Sequence, residues 1–166
     1  MSLLKTAYCK RFFRNSKGKY SPFEVGALCL TMALIPQGVV TIQSVKFHEF
    51  MLTCEDKLDD KRRHVSIWIS SERPSGPQEA SQWNIVKCGE AFRIQNMMTK
   101  EWMYANAPKY NDDRRRVLTY EMDGADPPQD DLSYQWHFVR FGSSFGIKNA
   151  KRDEWLYATE IGRAHV

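Results

Sequence analysis

The sequence lacks the motifs that mark most catalytic and metal-binding proteins. It has no GxSxG nucleophile motif, no phosphate-binding or dinucleotide-binding glycine loop and no HExxH motif. The four cysteines are at least 20 residues apart and the four histidines form no local ligand pattern, so no metal site is predicted. The longest apolar run, residues 25–35, is too short to span a bilayer. We therefore expect no cofactor and no enzymatic activity.

The sequence also lacks a large excess of either sign of charge. The chain has 24 basic and 20 acidic residues among 166, and the net charge of +4 is too small to predict nucleic-acid binding. With 42% hydrophobic and 27% charged residues, the composition is typical of one globular domain with its own core. The cysteines are then buried thiols or, in an oxidising compartment, disulfide partners.

What the sequence does contain is an internal repeat. The segment FRIQNMMTKEWMYA at residues 92–105 has one imperfect copy upstream and another downstream. Ile42, Ile94 and Ile147 hold the same place in the three copies, at spacings of 52 and 53 residues. A fixed period near 50 residues predicts a fold made of repeated units.

Each unit is predicted to contain four short β-strands, because β-branched and apolar residues recur between polar turns. The match ends after the first half of the third unit, so about two and a half units are recognisable. The predicted strands are residues 39–45, 49–53, 64–69, 82–86, 91–97, 101–105, 115–121, 134–139, 144–150 and 154–158. This pattern predicts an all-β domain, a β-trefoil over residues 39–160, with residues 161–166 as a tail that does not match the repeats.

Residues 1–38 allow more than one interpretation. A basic leader before the apolar run has the outline of a secretory signal peptide, which predicts a secreted protein. Alternatively, the repeat register places residues 30–34 where the fourth strand of a unit belongs. This segment would then complete the third unit, whose missing strand would otherwise leave backbone groups unpaired. A third interpretation is an artefactual leader. If the N-terminal segment does not fill the gap in the third unit, the sequence is a fragment of a longer protein.

The most specific polar feature is a repeated cluster of acids and bases. Asp-Asp-Lys-Arg-Arg at residues 59–63 returns as Asp-Asp-Arg-Arg-Arg at residues 112–116, each time between the second and third strands. In a trefoil both turns lie at one end of the barrel, where arginine can bind sulfate, phosphate or carboxylate groups. The alternative is that these acids and bases pair with one another. The candidate ligand-binding cations are Lys61, Arg62, Arg63, Arg114, Arg115 and Arg116.

Aromatic residues form a second candidate surface. Trp83 and Trp136 are predicted to lie in the core, since their spacing suits barrel packing. The Glu-Trp-x-Tyr-Ala motif instead places a tryptophan and a tyrosine on one side of a strand. Such a side can stack on a sugar ring or line an apolar pocket, with core packing as the alternative. The candidates are Trp102, Tyr104, Trp155 and Tyr157.

The phrases FRIQNMMTKEWMYA and FGIKNAKRDEWLYA, each introduced by a Gln-Trp strand, resemble the β-trefoil domain of the low-molecular-weight (thirty-kilodalton) lipoproteins of insect hemolymph and egg yolk. The resemblance covers residues 39–160 and implies a secreted, non-enzymatic protein of storage, lipid carriage or sugar binding. A weaker resemblance is to ricin-type lectin trefoils, whose Gln-x-Trp motif is shortened here to Gln-Trp. It implies the same fold without the lectin sugar pocket, whose residues this sequence does not supply.

Together these features predict a secreted, lectin-like binding protein whose ligand is a glycan or another anionic surface group. One alternative is a hemolymph or egg storage protein that carries lipid. A second is a protease inhibitor that acts through the loop at residues 70–81 or the loop at residues 122–133. We expect no nucleic-acid partner and no transmembrane segment.

Overall fold

A computed structural model describes residues 3–6, 35, 37–67, 79–111, 114–158 and 164–165, with the backbone alone for 3–6, 79, 110–111, 114 and 164–165. Within these residues, β-strands dominate and the helical segments are the 3-10 turns Glu79–Ser81 and Leu132–Tyr134. The strands are β1 Leu3–Thr6, β2 Gly38–Ser44, β3 Met51–Lys57, β4 Arg62–Ile67, β5 Gln82–Cys88, β6 Ala91–Asn96, β7 Trp102–Asn111, β8 Arg114–Tyr120, β9 Trp136–Phe141, β10 Ser144–Asn149, β11 Tyr157–Ala158 and β12 Ala164–His165. The ten strands predicted from the sequence each overlap one of β2 to β11.

Six strands close into a barrel. Around the ring the order is β2, β5, β6, β9, β10 and β1, and each of these strands pairs with the next. The pairings among β2, β5, β6, β9 and β10 are antiparallel, whereas β1 is parallel to both of its neighbours. A closed ring pairs both edges of every barrel strand, which satisfies their backbone groups.

The strand that completes the ring is β1. Leu4 pairs with Ile42 on one side, and Thr6 pairs with Ser44 and with Phe145 on the two sides. Residues 30–34, which the repeat register assigns to this place, lie outside the described residues. Backbone hydrogen bonds rather than a repeated side-chain pattern define the pairing of β1, so the sequence repeat gives no signal for it.

Three hairpins cover one end of the barrel. They are formed by β3 with β4, β7 with β8, and β11 with β12. Neighbouring hairpins also pair, since Arg63 lies opposite Thr119 and Arg116 lies opposite His165. The first unit therefore comprises β2 to β5, the second β6 to β9, and the third β10 to β12. The short strand β12 continues the third unit past the end of the sequence match at residue 160.

The core has the threefold relation that the repeat predicts. Ile42, Ile94 and Ile147 are all buried and belong to one hydrophobic cluster. Two tryptophans join the barrel to the hairpins: Trp83 Nε1 donates to the Met51 carbonyl oxygen at 2.9 Å, and Trp136 Nε1 makes the equivalent bond to Met103 at 3.1 Å. The prediction of an all-β, β-trefoil fold is confirmed.

The turn after the first strand of a unit repeats most closely. Asn96 and Asn149 each donate to two backbone carbonyls and accept from the amides two and three residues ahead. The partners are Ala80, Gln82, Met98 and Thr99 for Asn96, and Ser133, Gln135, Lys151 and Arg152 for Asn149. His48, Lys100 and Asp153, which end the three turns, all have a positive φ, between 57° and 60°. Each turn residue therefore has a defined equivalent in another unit.

Candidate functional site

The cations of the turn between β3 and β4 bind carboxylates of the chain. Lys61 Nζ lies 2.6 Å from Asp123 Oδ2, and Arg62 Nε lies 2.5 Å from Asp59 Oδ2. The hydrogen bond from Arg62 lowers the pKa of Asp59. The pKa of Arg62 is raised mainly by its hydrogen bond to Asp59 and, to a smaller extent, by its hydrogen bond to Tyr104. Exposed pairs of this kind add little to stability. They do leave Lys61 and Arg62 with reduced capacity for an external anion.

Arg63 points into the protein rather than toward solvent. Its Nε lies 2.8 Å from Glu101 Oε1, and its Nη1 donates to the Glu55 carbonyl oxygen. Glu101 is only 2% exposed, and its second carboxylate oxygen accepts from the Thr119 hydroxyl. The Arg63–Glu101 pair is thus a largely buried, hydrogen-bonded element of the fold, in which the Arg63 guanidinium already binds a carboxylate and a carbonyl oxygen of the chain.

Arg115 repeats this arrangement in the next unit. Its Nε lies 3.2 and 3.1 Å from the two carboxylate oxygens of Glu154, and its Nη1 donates to the Ala107 carbonyl oxygen. Arg116 is half-buried on β8, and the side chain of Arg114 is not among those described. Of the six predicted ligand-binding cations, Lys61, Arg62, Arg63 and Arg115 are therefore paired with acids of the same chain, the alternative that the sequence left open.

The first predicted aromatic pair packs inside the protein. Trp102 is 4% exposed, so neither of its faces is open. Tyr104 is half-buried, with its ring centroid 5.2 Å from that of Tyr134 and 6.2 Å from that of Tyr120. Burial raises the pKa of the Tyr104 phenol, despite the hydrogen bond from Arg62. Trp102 therefore has no open face for a sugar ring, and Tyr104 is partly covered by Tyr120 and Tyr134.

The second predicted pair is different, because Trp155 is exposed. Trp155 and Phe141 keep 37% and 45% of their surface in solvent, and their ring centroids are 5.6 Å apart. Both rings lie against Gly146: a Cβ atom at that position would be 2.7 Å from Phe141 Cε2 and 2.7 Å from Trp155 Cζ3. We call Phe141, Gly146 and Trp155 the aromatic platform. Tyr157 is half-buried on β11.

Two charged side chains flank the aromatic platform. Lys148 Nζ lies 5.5 Å from the centroid of the Trp155 ring, within the range of a cation–π contact. The same ammonium binds the carboxylate of Asp153, which is itself highly exposed. An apolar face beside groups that donate and accept hydrogen bonds is the usual composition of a small-ligand site.

The second unit has different residues at the positions equivalent to the aromatic platform. Gly146 is equivalent to Arg93, a buried residue that is 6% exposed and whose Nη2 donates to the Pro128 carbonyl oxygen at 2.9 Å. Trp155 is equivalent to the buried Trp102. The ring pair of the aromatic platform has no counterpart in the second unit, where Cys88 is the equivalent of Phe141 and Trp102 is buried. Phe141 and Lys148 were not among the site residues predicted from the sequence. The signal in the sequence for a difference between the units was Gly146, where the second unit has Arg93.

A cavity of about 390 Å³ lies at the border between the first and second units. The buried Arg63–Glu101 pair is part of its wall, and Lys57 Nζ lies 2.9 Å from Glu121 Oε2 within it. The lining residues are Glu55, Lys57, Arg63, Met98, Thr99, Glu101 and Glu121. This space is lined mainly by charged side chains, two cations and three carboxylates.

The other features considered in the sequence are the four cysteines, the loop at residues 70–81, and possible metal-binding or membrane-spanning segments. Cys54 and Cys88 are free thiols, whereas Cys9 and Cys29 are not among the described residues. Most of the loop at residues 70–81 is likewise not described. Over the described ranges, no group of histidine, cysteine, aspartate and glutamate could hold a metal ion, and no helix could cross a membrane.

Comparisons with known proteins support the fold. Neither a protein-family profile nor a curated protein sequence matches the chain. A salivary protein of the cysteine and tryptophan-rich family from Culex quinquefasciatus matches in structure with a TM-score of 0.65 and 25% identity, over 80% of this chain and 85% of that one. A second Culex quinquefasciatus salivary protein of that family gives 0.60 and 21%, over 78% and 82%. The designed threefold-symmetric protein ThreeFoil gives 0.56 and 13%, over 78% and 85%. These similarities support the β-trefoil and give no support to the insect lipoprotein or ricin-type lectin families.

Proposed function

We propose that this protein is a secreted, non-enzymatic glycan-binding protein that stacks a sugar ring on the aromatic platform. One observation carries the proposal: Phe141 and Trp155 remain 45% and 37% exposed while Gly146 lets both rings lie against the backbone. A sugar presents an apolar C–H face that can pack on such rings and hydroxyl groups that need polar partners. The platform supplies the first and its flanking charges supply the second.

The polar partners are Lys148 and Asp153. The Lys148 ammonium is held between the Trp155 ring and the Asp153 carboxylate, so its position is restricted before a ligand binds. Asp153 ends its turn at φ 57° and remains largely exposed, so its carboxylate can accept from sugar hydroxyls. Positions fixed in advance lower the entropy lost on binding.

Secretion forms part of the proposal for two reasons. Two solved structures with TM-scores of 0.65 and 0.60 are described as salivary proteins. The start of the chain also has the basic and apolar outline of a signal peptide. Lipid carriage has less support, because the cavity found among the described residues has a charged lining.

The test is a glycan array on the full chain, followed by titration calorimetry with the glycan that binds best. Trp155→Ala removes one face of the platform, and a lost stacking contact of about 1.5 kcal/mol corresponds to roughly tenfold weaker binding. Gly146→Arg, which installs the residue of the second unit, should block binding by filling the space between the rings. Val39→Ala is the matched control, since Val39 is exposed on β2, away from the platform.

Undiminished binding by both Trp155→Ala and Gly146→Arg would refute the platform as the binding site. An array on which the folded wild-type chain retains no glycan at all would refute the proposed function. Circular dichroism of each variant checks that it has kept its β structure.

A further inference from the structure

We infer that the glycan on the aromatic platform is a stretch of extended chain rather than a single terminal sugar, and that it lies along the outer face of β9. The inference rests on the proposed glycan binding and specifies the class of ligand. The outer face of β9 presents His137, Val139 and Phe141, which we call the β9 strip. Phe141 belongs to both surfaces, so the β9 strip continues the aromatic platform.

The residues of the β9 strip share one face because side chains alternate along a β-strand. Trp136 and Phe138 belong to the hydrophobic core, so the residues that alternate with them point outward. Val139 and Phe141 are exposed and His137 is half-buried. At about 3.4 Å per residue, the strip is about 14 Å long. It is straight because it follows a single strand.

Val139 connects the strip to the ring pair. It lies directly opposite Gly146, the residue against which both platform rings lie. Opposite residues of an antiparallel ladder have Cα atoms about 4.5–5.5 Å apart, so Val139 is a neighbour of the rings. Its exposed fraction of 39% is similar to that of Trp155. The exposed apolar surface therefore extends past the ring pair, and one sugar ring, about as wide as an aromatic ring, would leave Val139 uncovered.

The far end of the β9 strip is polar. His137 lies opposite Lys148, whose ammonium binds the Asp153 carboxylate. Imidazole, ammonium and carboxylate groups together supply both donors and acceptors for hydroxyl groups. A chain along the strip would thus meet apolar side chains first and polar groups at the end. A glycan chain suits this sequence of surfaces, because each of its rings has apolar C–H faces and polar edges.

The exposed area fits a narrow chain better than a protein partner. An aromatic side chain has about 150–250 Å² of surface, so the exposed parts of Phe141 and Trp155 amount to on the order of 200 Å². Val139 has a smaller side chain and adds less than either ring. A stable protein interface buries about 800 Å² on each partner. The surface is therefore too small to hold a second copy of the chain by itself.

The straight course of the strip favours one type of chain. In β-1,4-linked chains of glucose or N-acetylglucosamine the main ring substituents are equatorial, so successive rings extend in a line and show C–H faces. Chains of α-1,4-linked glucose curve instead. We therefore expect the β-1,4-linked chains to follow the strip and the α-1,4-linked chain to leave it after the first ring.

The hairpin of β5 and β6 provides a matched control. Val86 holds the place of Val139 and is likewise exposed, but the residue opposite it is Arg93 rather than Gly146. No ring pair lies beside Val86, and a single exposed apolar residue is an ordinary feature of a protein surface. Threonine at either position keeps the β-branched shape that suits a strand.

The test is calorimetry on the full chain with cello- and chito-oligosaccharides of one and three rings, and with maltotriose. Wild type should bind a β-1,4-linked trisaccharide at least about tenfold tighter than its monosaccharide. Val139→Thr should weaken trisaccharide binding about fourfold, which corresponds to the roughly 0.8 kcal/mol of one buried methyl group. It should leave monosaccharide binding unchanged, and Val86→Thr should change neither. A gain that comes only from the number of rings offered to a one-ring site would not respond to Val139→Thr.

The outcomes separate this inference from the proposed function. Trisaccharide binding that Val139→Thr leaves unchanged but Trp155→Ala weakens would overturn the chain site and leave stacking on the platform intact. Failure of both β-1,4-linked series, beside retention of another glycan on the array, would do the same. Maltotriose that binds as tightly as the better β-1,4-linked trisaccharide would overturn the preference for a straight chain. Self-association in sedimentation that Val139→Thr abolishes would assign the strip to a second copy of the chain and overturn the inference.

Discussion

Three glutamates hold the same place in the three units yet have different surroundings, so removing their charge should have different effects. Glu101 is 2% exposed and binds Arg63. Glu154 binds Arg115, but 28% of its side chain is exposed. Glu49 has a buried Oε2 that lacks a hydrogen-bond partner among the described residues. Changing each to glutamine keeps the shape of the side chain and removes its charge.

The largest loss is expected at Glu101. Breaking a buried ion pair by neutralising one partner costs about 3–5 kcal/mol, and glutamine keeps one acceptor oxygen, so we expect about 3 kcal/mol. At Glu154 solvent screens the pair, and we expect about 1 kcal/mol or less. Glu49→Gln should cause no loss and a small gain, because it replaces a partly desolvated carboxylate, whose Oε2 has no partner among the described residues, with a neutral group.

The effect at Glu49 should also depend on pH. Burial raises the pKa of Glu49. The folded state therefore binds a proton more readily than the unfolded state, and wild-type stability at this residue increases as pH falls through the raised pKa. The advantage of Glu49→Gln at pH 7 should shrink on acidification and vanish once the wild-type carboxyl is protonated in both states.

The assay is urea unfolding of the three variants and wild type at pH 7 and at acid pH, followed by tryptophan fluorescence, with m-values compared. Adding Arg63→Met to Glu101→Gln should recover part of the loss, because the unpaired guanidinium is removed as well. Equal losses at the three glutamates, or a larger loss at Glu49 than at Glu101, would refute the assignment of their partners.

Two further predictions concern the turn of the third unit. Asn149→Ala should destabilise by about 2–4 kcal/mol in urea unfolding, since it removes the donor to the Ser133 carbonyl and the acceptor of the Lys151 and Arg152 amides; a change below about 0.5 kcal/mol would contradict this. Burial opposes ionisation of Asp131, but hydrogen bonds from Ser133 and Lys151 outweigh it and lower the pKa of Asp131. The stability it contributes is present above the ordinary aspartate pKa and is lost as pH falls through the lowered value. Asp131→Asn should therefore be less stable than wild type at pH 7 and should approach it in acid; parallel pH curves would exclude that role.

The repeat made the barrel predictable because the period of the sequence is the period of the fold. Residues that must be alike in every unit, such as Ile42, Ile94 and Ile147, meet in one core and so leave a regular signal. The strand β1 left no such signal. It completes the ring through backbone pairing with Thr41 and Ser44, among others, which many short segments could provide.

The candidate site was less predictable because the exposure of a side chain depends on which other side chains pack over it. Trp102 and Trp155 stand in the same motif, and the sequence alone assigned them the same role. They differ in their neighbours: Gly146 lies against Trp155, whereas the equivalent Arg93 is buried and bonds to the loop at Pro128. Both residues can be read directly from the sequence. Their effect on a neighbouring ring appears only when the register between strands is known.

The same reasoning applies to the arginine clusters, for which the sequence left two interpretations open. A motif of acids and bases is ambiguous, since the same residues serve an external anion or one another. In the structure, Arg63 and Arg115 each bind a glutamate that lies nearly 40 residues further along the chain. That pairing joins one unit to the next. It could not be read from the spacing within a single turn.

A repeated fold can gain a site in one unit because different residues carry structure and binding. The bonds that shape each turn come from Asn96 or Asn149 and from the backbone, and they do not depend on the residues that follow. Lys151 and Arg152 donate only their backbone amides to Asn149. Their side chains are therefore free to differ from Met98 and Thr99 without altering the turn. Binding at the third unit can change while the barrel beneath it stays the same.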